Sequence, residues 1–487
     1  MKNARYKLGI LTAAVLSLTV CQNETENKPP PVSVTGINLE DMDLTIYGFR
    51  QLNPVQPANA TDKRVIWESS APDVVSVSDD GIISALKFTD NNSYTGQATI
   101  TGTTVDGGFS GTCVVTVTLA AQEHINDLKP LKDSFKDFFM MGNIFDSPDV
   151  TNTEPYTINK PWLIRHYNTL TPQNQMKPSY MCTATRGQYN EANIATAIRM
   201  IAAARDKGIK VQGHCLLWHS QIPAWQSNLR TSSDTSGQVL DYMKEYITDI
   251  VNKFKGTVYA WDVLNEAFTD GGGSNWRNAM RTGGEGNPWY MKLGADFVYE
   301  GFLAARMADP DAILYYNDYS LDLENKAKAV RDMVRDVNAQ YDAEHPEAKG
   351  RLLIEGIGMQ SHHNANVTAA AIKKSLGLFK PLGVKISISE LDVLAQTYND
   401  YEARKAPTNE ALLKQAIMYG EFFNVFLEYS DVIERVTFWG VSDASSWRST
   451  GLPLPFEGKR EGYNPVIPES IKAKPAYYKI IEALENY

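Results

Sequence analysis

Cysteine is scarce in this chain. Four cysteines in 487 residues, at positions 21, 113, 182 and 215, cannot lay down the disulfide framework of a small secreted fold. The fold must rest on a buried apolar core. Cys113, inside the strand-like run Thr112-Cys-Val-Val-Thr-Val-Thr118, reads as a buried thiol, and a Cys182–Cys215 bridge stays open. Positive charge is also short: 47 Lys and Arg stand against 57 Asp and Glu, a formal net charge of −10. No basic stripe interleaved with aromatics offsets that balance, so no nucleic-acid partner is expected. No glycine-rich phosphate loop follows the first strand-like run of the α/β part, which removes the nucleotide-binding open sheets. Histidine is sparse, with 7 in all. His214 and His219 alternate onto opposite faces of an extended run, and the adjacent His362 and His363 diverge. No metal site and no cofactor are expected.

At the N-terminus, Lys2, Arg5 and Lys7 precede an apolar run over residues 8–20 that is too short to span a bilayer. Residues 1–20 therefore read as a signal peptide. The run ends in Leu18-Thr-Val-Cys21 followed by polar Gln22-Asn-Glu24, which resembles a bacterial lipoprotein box, although Val20 stands where a small residue is usual. The resemblance implies that Cys21 is lipidated and that the protein is exported and held at a membrane surface, expected to be the outer membrane; the alternative is ordinary secretion with an incidental cysteine. Residues 21–31, closing on Pro29-Pro-Pro31, read as a stiff, solvated linker.

From 32 to 120 short alternating runs are separated by turn residues. Val65-Ile-Trp-Glu68, Val74-Val-Ser-Val-Ser78, Ile82-Ile-Ser-Ala85, Ala98-Thr-Ile-Thr101 and Cys113-Val-Val-Thr-Val117 are strands, with hairpin turns at Asp80-Gly81 and Asp106-Gly-Gly108. The pattern is that of a small all-β sandwich. Pro57-Ala-Asn-Ala-Thr61, Trp67-Glu-Ser-Ser-Ala-Pro-Asp73 and Gly96-Gln-Ala-Thr-Ile-Thr101 resemble the bacterial Ig-like domain, group 2. No ionisable cluster stands in it, and a spacer role is expected.

From 125 to 487 the rhythm changes to α/β. Eight strand-like runs, at 138–145, 168–176, 209–217, 258–266, 313–319, 352–360, 385–393 and 435–442, alternate with helical stretches. One helix carries the stripe Met243, Tyr246, Ile247, Ile250, Val251, Phe254, and another carries Ile194, Ala197, Ile198, Ile201. Gly208 and Gly256 stop these helices. Eight such units predict a (β/α)8 TIM barrel, with its site at the C-terminal ends of the strands.

Two of those strand ends carry a glutamate, Glu266 in Trp261-Asp-Val-Leu-Asn-Glu266 and Glu390 in Ser387-Ile-Ser-Glu-Leu-Asp392. A carboxylate there is costly unless wetted, paired or working, and a pair of them points to glycoside hydrolysis. Other strand ends supply Gln173-Asn-Gln-Met-Lys177, Gly213-His-Cys-Leu-Leu-Trp-His219, Tyr315-Tyr-Asn-Asp-Tyr319, Gly358-Met-Gln-Ser-His-His363 and Phe438-Trp-Gly-Val-Ser-Asp443, with Trp447 beyond. Asp262 and Asp392 read equally as partners of the site or as structural ion pairs, Asp443 as a loop-fixing acceptor, and Trp225 and Trp261 as packing residues.

Taken in order, these motifs resemble glycoside hydrolase family 10, the endo-β-1,4-xylanases, over the whole barrel. The resemblance implies that Glu266 is the acid/base, Glu390 the nucleophile, and Asn265 the partner of the sugar 2-hydroxyl. It also implies sugar contacts for Asn174, Lys177, His214, Trp218, Gln360, His362, Trp439 and Trp447. Spacing alone does not tell the two glutamates apart. Two positions depart from the family pattern: Gln173 replaces the usual Glu, and Pro178 the usual aromatic, which bears on the distal glycone subsite. The function implied is retaining endo-hydrolysis of xylan by a monomer. The alternatives are another β-1,4-glycan, such as cellulose or mannan, or a catalytically silent glycan-binding protein.

Overall fold

The computed structural model describes residues 30–46, 48–86, 89, 95–118, 122–273, 275–283, 286–462 and 466–487. The expected signal peptide, Cys21 and the expected linker up to residue 29 lie outside the described residues. The chain divides into two compact units, one ending at Thr118 and one running from Leu119 to Tyr487.

In the first unit, strands Met42–Thr45, Ser110–Thr118, Gly96–Thr104 and Val65–Ser69 form one sheet in that order, and Phe49–Gln51, Ile82–Ala85 and Val75–Val77 form another. Alternate residues such as Ala98, Ile100, Val115 and Val117 are buried, as a two-sheet sandwich requires. Gly81, at φ 80°, makes the hairpin turn expected at Asp80-Gly81, a conformation that glycine adopts freely.

The second unit is a closed barrel. Its strands are β1 (Met140–Phe145), β2 (Thr169–Pro172), β3 (Lys210–Leu217), β4 (Ala260–Asn265), β5 (Ile313–Asp318), β6 (Gly356–Met359), β7 (Lys385–Val393) and β8 (Ile433–Phe438). All pair in parallel, and β8 returns to β1 to close the ring. These strands are buried along nearly their whole length, as parallel strands covered by helices must be. Two of the strands are less than half the length of their sequence runs. β2 stops at Pro172 because the chain then turns, with Lys177 N–H donating to the Asn174 carbonyl at 3.0 Å, and β6 is confined to four residues.

The helix Ser236–Phe254 buries the expected stripe, and its first turn is closed by a capping box between Thr235 and Gln238. In Glu191–Asp206 one stripe residue is corrected. Ile198 faces solvent and Met200 takes the buried place, because Ile198 lies at the far edge of the arc set by Ile194, Ala197 and Ile201. Gly208 and Gly256, both at φ 69°, follow the two helices. Trp261 is fully buried, and a Cβ on Gly213 would stand 2.4 Å from its ring. Cys113, Cys182 and Cys215 are free, buried thiols, so the Cys182–Cys215 bridge is not formed. Burial pushes the Cys182 thiol up to about 12.

Candidate active site

β4 delivers Asn265, and the next residue, Glu266, turns out of the strand with φ 55°. A left-handed backbone at a residue other than glycine is uncommon, and here it aims the carboxyl into a cleft of about 910 Å³. β7 delivers Glu390 into the same cleft. Asn317, the penultimate residue of β5, and Gln360, just past β6, hold both glutamates reciprocally. The Asn317 carbonyl accepts from Glu266 N–H at 2.8 Å, and its side chain donates to Glu390 Oε1 at 2.8 Å. The Gln360 carbonyl accepts from Glu390 N–H at 2.9 Å, and its side chain donates to Glu266 Oε1 at 2.9 Å. Each glutamate is thus fixed by the backbone of one amide residue and the side chain of the other. The Asn265 amide lies between them, 2.9 Å from Asn317 and 3.2 Å from Gln360.

The two carboxyls differ in their surroundings. Glu266 is the more exposed of the pair, its side chain 15% accessible against 6% for Glu390, and its Oε2 accepts from Trp218 Nε1 at 3.0 Å. Glu390 Oε2 faces His362 Nε2 at 3.2 Å, and His362 Nδ1 faces Asp392 Oδ2 at 2.9 Å. An imidazole with a carboxylate at each nitrogen is best satisfied as the imidazolium, with both nitrogens donating. Burial pulls the His362 proton affinity down, but the charges and hydrogen bonds of Asp392 and Glu390 outweigh it and lift the group to about 9. Burial likewise pushes the Glu390 carboxyl up, yet the hydrogen bonds from His362 and Asn317 and the positive field of His214 and His362 hold it below the ordinary glutamate value. Asp392, fully buried, is held below its ordinary value despite burial by His362 and by Arg448, whose Nη1 lies 2.6 Å away.

All eleven sugar-contact and catalytic candidates, Asn174, Lys177, His214, Trp218, Asn265, Glu266, Gln360, His362, Glu390, Trp439 and Trp447, line this one cleft. Lys177 Nζ donates to Asn174 Oδ1 at 3.1 Å and to Gln221 Oε1 at 2.8 Å. Burial lowers its proton affinity, and Glu390 partly restores it. His214 is held by Asp262, whose Oδ2 is 2.9 Å from Nδ1 and whose Oδ1 accepts from Gln212. Trp447 is 59% exposed at the mouth yet donates Nε1 to Asp392 at 3.0 Å. Trp439 stands edge-on to both His214 and His362.

A model of glycosyl hydrolase family 10 matches residues 130–483, the barrel with its cleft. The chain belongs to glycosyl hydrolase family 10. A model of the bacterial Ig-like domain (group 2) matches residues 50–115, within the sandwich. An endo-1,4-beta-xylanase from Geobacillus stearothermophilus is 34% identical over 328 residues, covering 66% of this chain and 89% of the relative. Endo-1,4-beta-xylanase A of Thermotoga maritima is 31% identical over 357 residues, 73% of this chain. That match spans 31% of the relative, so the chain covers about a third of its length. Among solved structures, a bacterial Ig-like domain containing family 10 xylanase from termite gut is 44% identical, with a TM-score of 0.73 over 92% of this chain and 99% of that one.

In this family 10 glycosyl hydrolase, Asp262 and Asp392 are partners of the site rather than remote ion pairs, each holding a cleft histidine. Asp443 accepts from Leu454 N–H at 2.8 Å and pairs with Lys474 at 2.9 Å, a loop-fixing role. Trp225 packs on Tyr246 and Trp289. His219 is a correction: its Nε2 comes 3.9 Å from Glu266 Oε2. β3 ends at Leu217, so strand alternation does not reach His219 and cannot place it on the far face. His363 does diverge from His362, packing on Phe422. Asn317 was not singled out in the sequence, although the polar cluster Asn317-Asp318 ending an apolar strand marked the place. Tyr319, Tyr398, Tyr401 and Glu402 also line the cleft, from loops whose course no sequence period sets.

Proposed function

We propose that the cleft hydrolyses internal β-1,4-xylosidic bonds of xylan with retention of anomeric configuration. The carrying observation is the unequal treatment of two clasped carboxyls, Glu390 held ionised against a charged His362 while Glu266 is left open to the cleft. Glu390 attacks the anomeric carbon as Glu266 gives its proton to the departing glycosidic oxygen. Glu266 then takes a proton from water, the water attacks the same carbon, and Glu390 leaves as carboxylate. Trp439 and Trp447 offer flat apolar faces to a pyranose, and Asn174, Lys177 and Asn265 serve its hydroxyls. The relatives named above as xylanases support xylan over cellulose or mannan.

The test is digestion of xylan, cellulose and mannan with product sizing, plus the first-formed anomer by NMR. Shortened xylan chains ending in the β-anomer are expected, with Glu266→Gln and Glu390→Gln each slowing turnover by about 10³-fold or more. Preference for cellulose or mannan, a first-formed α-anomer, or xylan binding without cleavage would each sink the reading.

We further infer an exported monomer anchored through a lipid on Cys21, on the strength of the basic, apolar and cysteine-terminated N-terminal segment. Detergent phase partitioning should recover the mature protein in the detergent phase, and mass spectrometry should find an acyl mass on its N-terminal peptide that Cys21→Ala abolishes. Size-exclusion chromatography reads the monomer.

A further inference from the structure

The loop after β4 returns Arg281 to the back of Glu266. Arg281 Nε donates to the Glu266 carbonyl at 3.1 Å, its Nη2 donates to the Tyr319 hydroxyl, and its own N–H binds the Ala267 carbonyl at 2.9 Å. The neighbouring backbone is tied as closely: Ala267 N–H donates to the Tyr316 hydroxyl at 3.2 Å, and Tyr316 donates in turn to Asp318. Asp318 forms an ion pair with Lys326 at 2.9 Å in which both side chains are fully buried. The Lys326 ammonium sits 3.8 Å from the centre of the Tyr319 ring, and Tyr319 faces the cleft.

The left-handed backbone of Glu266 has to be over-determined by its surroundings to persist. Its N–H is taken by Asn317, and the group that holds its carbonyl is Arg281. The guanidinium fork reaches two acceptors in fixed geometry, one on the glutamate's own peptide and one on a tyrosine of the cleft wall.

We propose that Arg281 is a positioning residue for the proton donor, fixing the peptide of Glu266 so that its carboxyl meets the departing oxygen, and linking that peptide to the cleft wall at Tyr319. This rests on reading Glu266 as the acid/base. Small displacements of a catalytic group are expensive in rate, but only where that group's proton is needed.

The experiment compares kcat/KM on 2,4-dinitrophenyl and phenyl β-xylobiosides for wild type, Arg281→Lys, Arg281→Met, Tyr319→Phe and Glu266→Ala, with circular dichroism confirming the fold. Dinitrophenolate leaves without protonation, whereas phenolate and sugar need it. Both Arg281 variants are expected to lose about ten-fold or more on the phenyl substrate, and to stay within about two-fold on the dinitrophenyl substrate. Tyr319→Phe, which removes one arm of the fork, should show the same bias more weakly. Equal losses on both substrates, or none, overturn the proposal, and Tyr319→Phe decides it if the Arg281 variants do not fold. Glu266→Ala is the reference: if it lacks the leaving-group bias, the acid/base reading has failed. A bias in Glu266→Ala without one in the Arg281 variants refutes the positioning role alone.

Discussion

His362 couples three ionisable groups into one unit. Its cation stands between Glu390 and Asp392, so removing it should let burial raise the Glu390 carboxyl unopposed on that side. For His362→Gln the acid limb of the kcat/KM profile on xylan is expected to move to higher pH, with turnover down by about ten-fold or more; an unmoved limb would contradict the coupling. The stability sign follows from the same groups. His362, raised to about 9 from 6.5, contributes fully below about 6.5, and that contribution fades as pH rises through about 9. Glu390 and Asp392, held low, contribute above their ordinary values and lose that contribution as pH falls through their lowered ones. The gap in Tm between wild type and His362→Gln should therefore narrow from about pH 6 to about pH 10, measured by thermal unfolding.

At the level of elements, β5 and β6 lie close enough that a side chain on one excludes a side chain on the other. A Cβ on Gly358 would stand 2.2 Å from Asn317 Oδ1, an atom that also accepts from Ser389 Oγ at 2.6 Å. Gly358→Ala should displace Asn317 from Glu390 and lower kcat by about 10- to 100-fold while circular dichroism stays native. Unchanged kcat would show that the amide has room to shift. The barrel itself was legible because its strands are apolar runs ending in polar clusters and its helices carry a 3.6-residue stripe. Strand ends were legible less well: at 168–176 the polar site residues continue an apparently extended run after pairing has stopped at Pro172, and at 352–360 the apolar Leu352, Leu353 and Ile354 extend the run ahead of the pairing, which starts at Gly356. Glu266 and Glu390 stood out as carboxyls where none is welcome. Asn317 and Arg281 did not, since an amide at a strand end and an arginine in a loop are ordinary until their partners are known. Strand alternation misplaces His219 for the converse reason, since it holds only as far as Leu217, where β3 ends.

Among the described residues the barrel has one continuous buried cluster, and the sandwich buries residues of its own, among them Ile83, Ile100, Val115 and Val117, with a smaller cluster at Val34, Val55 and Ala60. Independent cores favour separate unfolding transitions. Differential scanning calorimetry of the intact protein should resolve two, and a xylo-oligosaccharide at about 100-fold over its Kd should raise only the barrel's transition, by up to about 2.7 kcal/mol of added stability. A shift of both would mean that the sandwich also binds the sugar.

The reciprocal hold of Asn317 and Gln360 on the two glutamates makes their separation a property of the ring rather than of either strand. If the barrel flexes, both carboxyls ride together, and the gap between them is carried along like the jaws of a locked caliper. Widening that gap to admit a water molecule between glutamate and sugar, as an inverting enzyme needs, is therefore not one mutation away. Changing either amide alone releases one jaw without resetting the other, so the stereochemical outcome is insulated from single substitutions even where the rate is not.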